Sequence, residues 1–243
     1  MPSLAASEVV GIWEAGSNRP DWDKALVALA PLFPQAAPGE LAALSIGERN
    51  AHLLALRQDL IGPVIQAMVK CPECGEPLEF DQRIDELLEG YSAPAEQEFE
   101  VMQGDHAARC RLLTSHDLAL AARSGNEAGA RQALVARAIV EVTHFGAPTA
   151  AADLPSEIVE QIADALAERD RLADLAIPLA CAECEHVWPA TLEIASFLWS
   201  ELERKAKHIL ADVVTIANAY SWSEAEIMGM SPARRQYYLD AIG

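Results

Sequence analysis

Cys71-Pro72-Glu73-Cys74 and Cys181-Ala182-Glu183-Cys184 are the stretches that decide how this chain folds. Each pair leaves two residues between its thiols, the spacing that lets one tight turn offer two sulfurs to a tetrahedral zinc at about 2.3 Å. Two such turns supply Cys71, Cys74, Cys181 and Cys184 as the four ligands of one closed, structural zinc site. Each pair is followed by a short apolar or aromatic stretch with the character of a strand, Gly75 to Phe80 and His186 to Leu192. This is the pattern of a zinc ribbon, two knuckles on two hairpins. Residues 75 to 180 separate the halves, against roughly 15 to 20 residues in a compact ribbon. The ribbon is therefore expected to be discontinuous, with an insertion between its knuckles.

Other uses of the cysteines fit less well. A disulfide framework suits a small secreted chain, whereas this one has 243 residues, five cysteines and no initial basic region followed by a long apolar run. A redox Cys-x-x-Cys needs one pair and leaves the second unexplained. A catalytic zinc keeps a position open for water, which four thiolates close. His186 is able to replace Cys184 or to hydrogen-bond a sulfur, but reads first as a polar residue of the second hairpin. Cys110 has no partner at metal spacing and reads as a small core hydrophobe.

At 26.2 kDa and 51% hydrophobic residues the chain can bury a sizeable core as one elaborated domain or two small ones. A net charge of −19 and a pI near 4.6 argue against gripping phosphate, so no nucleic-acid partner is expected. With no run of about 18 apolar residues, no membrane span is expected either, and the chain reads as a soluble cytosolic protein without a signal peptide. The acidity keeps an alanine-rich chain in solution or meets a basic partner surface.

Residues 4 to 70 read as helices punctuated by proline and glycine, with Asp21 opening one and Ser45/Glu48 at capping-box spacing opening a longer one through Leu53, Leu56 and Leu60. Glu98 to Gln103 and Ala107 to Leu113 flank Gly104-Asp105 and predict a β-hairpin that extends the ribbon sheet. Thr114 and Asp117 reopen helix; Ser124-Gly125-Asn126 interrupts it, and Glu127 to Val142 resumes it. A further helix, from about Pro155 to Ala176, carries Ile158, Ile162 and Leu166 on one face and Glu157, Glu160, Asp164, Glu168, Asp170 and Asp174 on a solvated one. Residues 146 to 153 read as a flexible linker. In the tail, Leu198, Leu202, Ala206, Ile209, Val213, Ile216 and Tyr220 recur at steps of three and four, predicting a helix from about Ala195 to Tyr220. Its stripe reads as core packing, and its length also makes it a candidate docking surface. Ser223/Glu226 and Ser231-Pro232 open two last helices. No internal repeat is apparent.

The expected fold class is α+β: mainly α-helical, with a discontinuous zinc-ribbon-like β module and a long C-terminal helix. The regions are an N-terminal helical part (1–70), the first knuckle with its β-hairpin (71–114), a helical insertion (115–177), the second knuckle completing the ribbon (178–194) and C-terminal helices (195–243). The chain lacks a phosphate-binding Gly-rich loop, a Gly-x-Ser-x-Gly turn and a His-Glu-x-x-His helix, and its six histidines are scattered. His116-Asp117 falls at a helix start, where capping explains it. No catalytic residues are assigned, and no enzyme is expected.

Four blocks carry a family resemblance: Ile12-Trp13-Glu14; Ala51 to Arg57 leading to the first knuckle; the second knuckle through Trp188 into Ile194 to Leu202; and Ala219 to Ile227. With these the chain resembles the baseplate hub assembly chaperones of T-even-type contractile-tailed bacteriophages and phage-tail-like injection systems. Glu185, where a glycine is expected after the second cysteine, and Ala182, where proline is common, depart from that pattern. The ligands are unaffected, but the turn geometry is put in question. The resemblance implies a non-enzymatic chaperone in the bacterial host cytosol that binds baseplate hub or tail-spike proteins during tail assembly. A structural baseplate component retained in the particle, a nucleic-acid-binding zinc ribbon and a zinc hydrolase are the alternatives.

Overall fold

A computed structural model describes residues 4–37, 39–151 and 154–242. The chain opens with α1 (Ala6–Gly16), α2 (Asp21–Leu29), the single turn α3 (Glu40–Ala43) and α4 (Ile46–Leu60), then makes a hairpin of β1 (Val64–Lys70) and β2 (Pro77–Arg83) that runs into α5 (Ile84–Leu88). Next come β3 (Glu98–Gln103), β4 (His106–Arg111), α6 (Ser115–Ala121), α7 (Glu127–Ala138), β5 (Ile139–His144), β6 (Ala147–Pro148) and α8 (Ser156–Arg169). A second hairpin, β7 (Ala176–Ala180) and β8 (Val187–Thr191), leads into α9 (Ile194–Tyr220), α10 (Glu224–Met228) and α11 (Pro232–Ile242). The fold is mixed α+β, with helix well ahead of strand at 54% against 20%. No helix among the described residues is long and apolar enough to cross a membrane.

The 27-residue α9 is the spine of the larger core. Its three- and four-residue spacing puts Leu198, Leu202, Ala206, Ile209, Val213 and Ile216 on one buried face, about 40 Å long overall at 1.5 Å per residue. Against that face pack α1, α2 and α4 from the N-terminal end and α10 and α11 from the C-terminal end. Leu29, Leu53, Leu54, Ile65, Ile84 and Ile227 complete the layer, each fully buried. Both hairpins feed this core, through Ile65 of β1 and Ile177 of β7.

A smaller second core lies in the segment between the knuckles. Alternation in β3 turns Phe99 and Val101 inward, where they meet Ala108, Cys110, Leu112 and Val142 and are covered by Ile158 and Ile162 of α8. Cys110 is a fully buried member of this core, and burial pushes its thiol up to about 11.

Several local expectations give way. The hairpin of β3 and β4 does not extend the ribbon: it belongs to its own antiparallel sheet, in the order β3-β4-β5-β6, while β1-β2 and β7-β8 are separate two-stranded sheets. The helix expected to run to Val142 stops at Ala138, because Ile139 to His144 pairs with β4. The helix expected to reach Ala176 stops at Arg169, and Ala176 already pairs with Thr191 across the second hairpin. Val64 to Lys70, read as the end of a helical region, is strand β1. Of the expected linker, Ala147 and Pro148 pair with β5, while Ala152 and Asp153 lie outside the described residues.

The two cores are joined at the N-terminus of α4. Ser45 bridges to Thr114, and the Ile46 N–H donates to the Leu113 carbonyl at 2.9 Å. Asp170, expected on a solvated face, is instead 3% exposed. Its carboxylate accepts from the Gly47 N–H at 2.9 Å and the Ser45 hydroxyl at 3.1 Å, so it caps α4, where the helix dipole favours a negative charge. A Cβ on Gly47 would stand 1.9 Å from that carboxylate, which is why the position is glycine. Ser45 Oγ also accepts from the Glu48 N–H. On the same side Asp117, fully buried, takes Arg111 at 2.7 and 2.8 Å and Arg137 at 2.5 Å while closing the Thr114 capping box.

Candidate metal centre

Each knuckle begins where a strand ends. In the first, the Cys71 N–H donates to the Glu76 carbonyl and the Gly75 N–H to the Cys71 carbonyl, both at 2.9 Å. In the second, Cys181 donates to His186 and Glu185 to Cys181, again at 2.9 Å. The strand registers agree as well, Lys70 facing Pro77 in one hairpin and Ala180 facing Val187 in the other. Ile84 and Ile194, at the same distance beyond the second cysteine of their knuckles, start α5 and α9 and are both buried. The two knuckles are thus one unit used twice, strand, Cys-x-x-Cys turn, strand, helix. The sequence shows no such repeat because little beyond the cysteines, Glu73/Glu183 and Ile84/Ile194 is shared.

The turn requires a left-handed residue directly after the second cysteine, since the chain must reverse there. Gly75 sits at φ 77° and Glu185 at φ 59°. The departure from glycine therefore leaves the turn geometry unchanged and stores strain instead: a Cβ in this region costs roughly 1–2 kcal/mol.

The two turns meet sulfur to sulfur. Cys71 Sγ lies 3.7 Å from Cys184 Sγ and Cys74 Sγ lies 3.6 Å from Cys181 Sγ, and all four sulfurs fall within 4.8 Å of one another. A tetrahedron with metal–sulfur bonds of about 2.3 Å has edges of about 3.8 Å, so the donor set fits a tetrahedral thiolate-binding ion. Cys71 and Cys181 are buried and Cys74 and Cys184 exposed, which leaves one edge of the site toward solvent.

Electrostatics point the same way. Burial would raise the Cys71 thiol, but the backbone N–H groups of Cys74 and Glu73 and the neighbouring thiols hold it down at about 6. Cys74 receives an N–H from Glu76, yet its contacts with Cys184, Cys181 and Cys71, with some loss of solvent around the sulfur, push it up to about 12. Cys184 is likewise raised, against the N–H of His186. Four thiols this close cannot all ionise beside one another unless a cation shares the charge.

His186 does not join the sulfurs; its ring stacks on Trp188, with centroids 5.8 Å apart. Cys110 lies in the second core, away from the cluster. What sequence reading missed is the support behind the site. Arg57 is 3% exposed and makes a two-pronged contact with Glu201 of α9 at 2.8 and 3.0 Å. The same guanidinium donates to the carbonyls of Gly62 and Val64, at the entry to β1. Lys205, one turn on in α9, donates to the Leu60 carbonyl. The helix after the second knuckle thereby fixes the chain that enters the first. An isolated Arg in a helical pattern carries no sign of this pairing, which spans the whole insertion.

No protein-family model matches the chain, and no curated protein or solved structure is significantly similar to it.

Proposed function

We propose that this protein is a non-enzymatic assembly factor, a baseplate hub assembly chaperone of a contractile tail or tail-like injection system, whose fold is clasped by a structural zinc. The observation that carries the architectural half of this reading is the cross-knuckle set of four sulfurs. Four thiolates complete a tetrahedral shell and leave no position for a substrate or an activated water, so the centre suits holding chain segments together rather than chemistry. Tetrahedral four-thiolate sets take zinc or iron, and zinc, borderline-soft and redox-inert, is the ion that suits a purely structural role.

The chaperone half rests on the resemblance, whose blocks pack against one another in the fold. Ala51 to Arg57 lies on α4, and Ile194 to Leu202 on the first turns of α9. Leu53, Leu54, Leu56, Ile194, Leu198 and Leu202 meet in one core, and the two blocks are locked by Arg57 and Glu201. The resemblance thus falls on a single packed unit around the metal centre. A net charge of −19 favours basic protein partners over nucleic acid.

Elemental analysis of the purified protein is expected to give one zinc per chain, and Cys74→Ser to lose both metal and thermal stability, since a structural site's binding energy is folding energy. A metal-free wild type of equal stability would refute the clasp. For the partner, co-purification with the hub proteins of the same tail cluster is paired with mass spectrometry of finished particles. A chaperone is captured by a hub subunit and missing from the particle; stoichiometric retention in the particle would make the protein a baseplate component instead. Tight, salt-sensitive binding in a mobility-shift assay would point to a nucleic-acid-binding ribbon.

A further inference from the structure

Where the two cores meet, a cavity of about 350 Å³ opens between α4, α7, α8 and the residues before α9. Its walls are apolar, formed by Ile46, Leu113, Leu134, Val135 and Leu166, and Arg49 lines it. That guanidinium is 4% exposed. Its hydrogen bonds go only to neutral groups: Nε and Nη2 donate to Asn50 Oδ1 at 3.1 and 2.8 Å, and Nη1 donates to Ser115 Oγ at 3.3 Å. A guanidinium has five N–H donors, so two are left over.

Three other buried charges are compensated directly. Arg57 has Glu201, Asp117 has Arg111 and Arg137, and Asp170 caps α4. Two buried guanidiniums among the described residues have no carboxylate at ion-pair distance, Arg49 and Arg235, and of the two it is Arg49 that lines the cavity. Burial lowers its pKa even though Glu193 and Asp170 act to raise it. A buried cation with spare donors beside an apolar hollow costs folding energy unless something occupies the hollow.

We propose that this cavity is a binding site for a small apolar monocarboxylate, its head group on Arg49 and its hydrocarbon body against Leu113, Leu134, Val135 and Leu166. The volume falls in the range of ligand pockets, and a carboxylate is the group that best accepts from the remaining N–H donors of a guanidinium. The other charges around the cavity set the number of charges on the ligand. Asp170 is engaged with the α4 N-terminus. Arg131, Asp174 and Glu193 are exposed lining residues, and their net negative charge disfavours a second anionic group. This site is separate from the sulfur cluster and does not depend on the assembly reading.

The test is calorimetric titration of the full-length protein with sodium hexanoate, with hexanamide and adipate in parallel. Saturable binding of hexanoate is expected, with hexanamide at least about tenfold weaker, the size of one lost charge-assisted contact, and adipate weaker because its second carboxylate meets the negative lining. Arg49→Met should weaken hexanoate by a similar factor. Ala163→Phe, which fills the cavity from α8 while Arg49 stays, should abolish binding and decides the matter if Arg49→Met does not fold. The proposal is overturned by no saturable binding to the wild type, by equal affinity for hexanoate and hexanamide, or by undiminished binding to Ala163→Phe.

Discussion

Glu185 and Gly75 perform the same backbone task with different side chains, which makes them a matched pair for measuring what that task costs. Glu185→Gly removes the left-handed strain but gives the unfolded chain more freedom, so a net gain of about 0.5–1 kcal/mol is expected in denaturant unfolding of the metal-loaded protein. Gly75→Ala should lose about 1 kcal/mol for the opposite reason. Equal and negligible effects would mean that the turns relax freely. Asp117 makes a second single-residue case. Burial alone would raise its carboxyl, but Arg111 and Arg137 outweigh burial and hold it well below the usual carboxylate range. A depressed folded pKa contributes stability that is present above the unfolded value, near 4, and is lost as pH falls from there toward the folded value. Asp117→Asn should therefore lower stability at pH 7 and flatten its decline below about pH 4, read from melting temperatures across that range.

Among elements, the contact of α4 with α9 through Arg57 and Glu201 is the one to cut. Arg57→Met alone strands a half-buried carboxylate and the carbonyls of Gly62 and Val64, and Glu201→Leu alone strands a buried guanidinium; the second is expected to cost about 3–5 kcal/mol and the first somewhat less. The double variant should recover much of that loss, and additive losses in the cycle would deny the coupling. At this scale the sequence was readable where a residue type announces its local job. The capping boxes at Thr114/Asp117 and Ser223/Glu226 form as their spacing predicts, and the apolar stripe of α9 is buried from Leu198 to Ile216, with Tyr220 at its end half-buried. It was unreadable where a distant partner decides. Ile139 to His144 continues a helical pattern and becomes strand only because β4 is there to pair. Val64 to Val69 is a short, mostly apolar run that helix and strand both accept. Asp170 looked like one more solvated acid because the helix end it caps is more than a hundred residues earlier in the chain. The four sulfurs were legible from spacing alone, whereas the polar braces around them were not.

For the whole molecule, the sulfur site and the larger core form one mechanical unit, and the sheet β3-β4-β5-β6 with α8 forms another with its own apolar interior. Chelation should therefore act unevenly. Hydrogen exchange with a strong chelator is expected to rise in Val64–Arg83 and Ala176–Thr191, while the amides of β3, β4 and β5 keep most of their protection. Uniform loss across both cores would show that they unfold as one.

The two halves of the sulfur site, 107 residues apart at Cys74 and Cys181, also impose an order in time. A chain leaving the ribosome at about 5–20 residues per second exposes its first thiol pair roughly 5–20 s before its second. No nascent chain cut short within the intervening segment can close the centre. A metal held there would mark chains synthesised past Cys184, and fragments ending between the knuckles would carry only the first thiol pair.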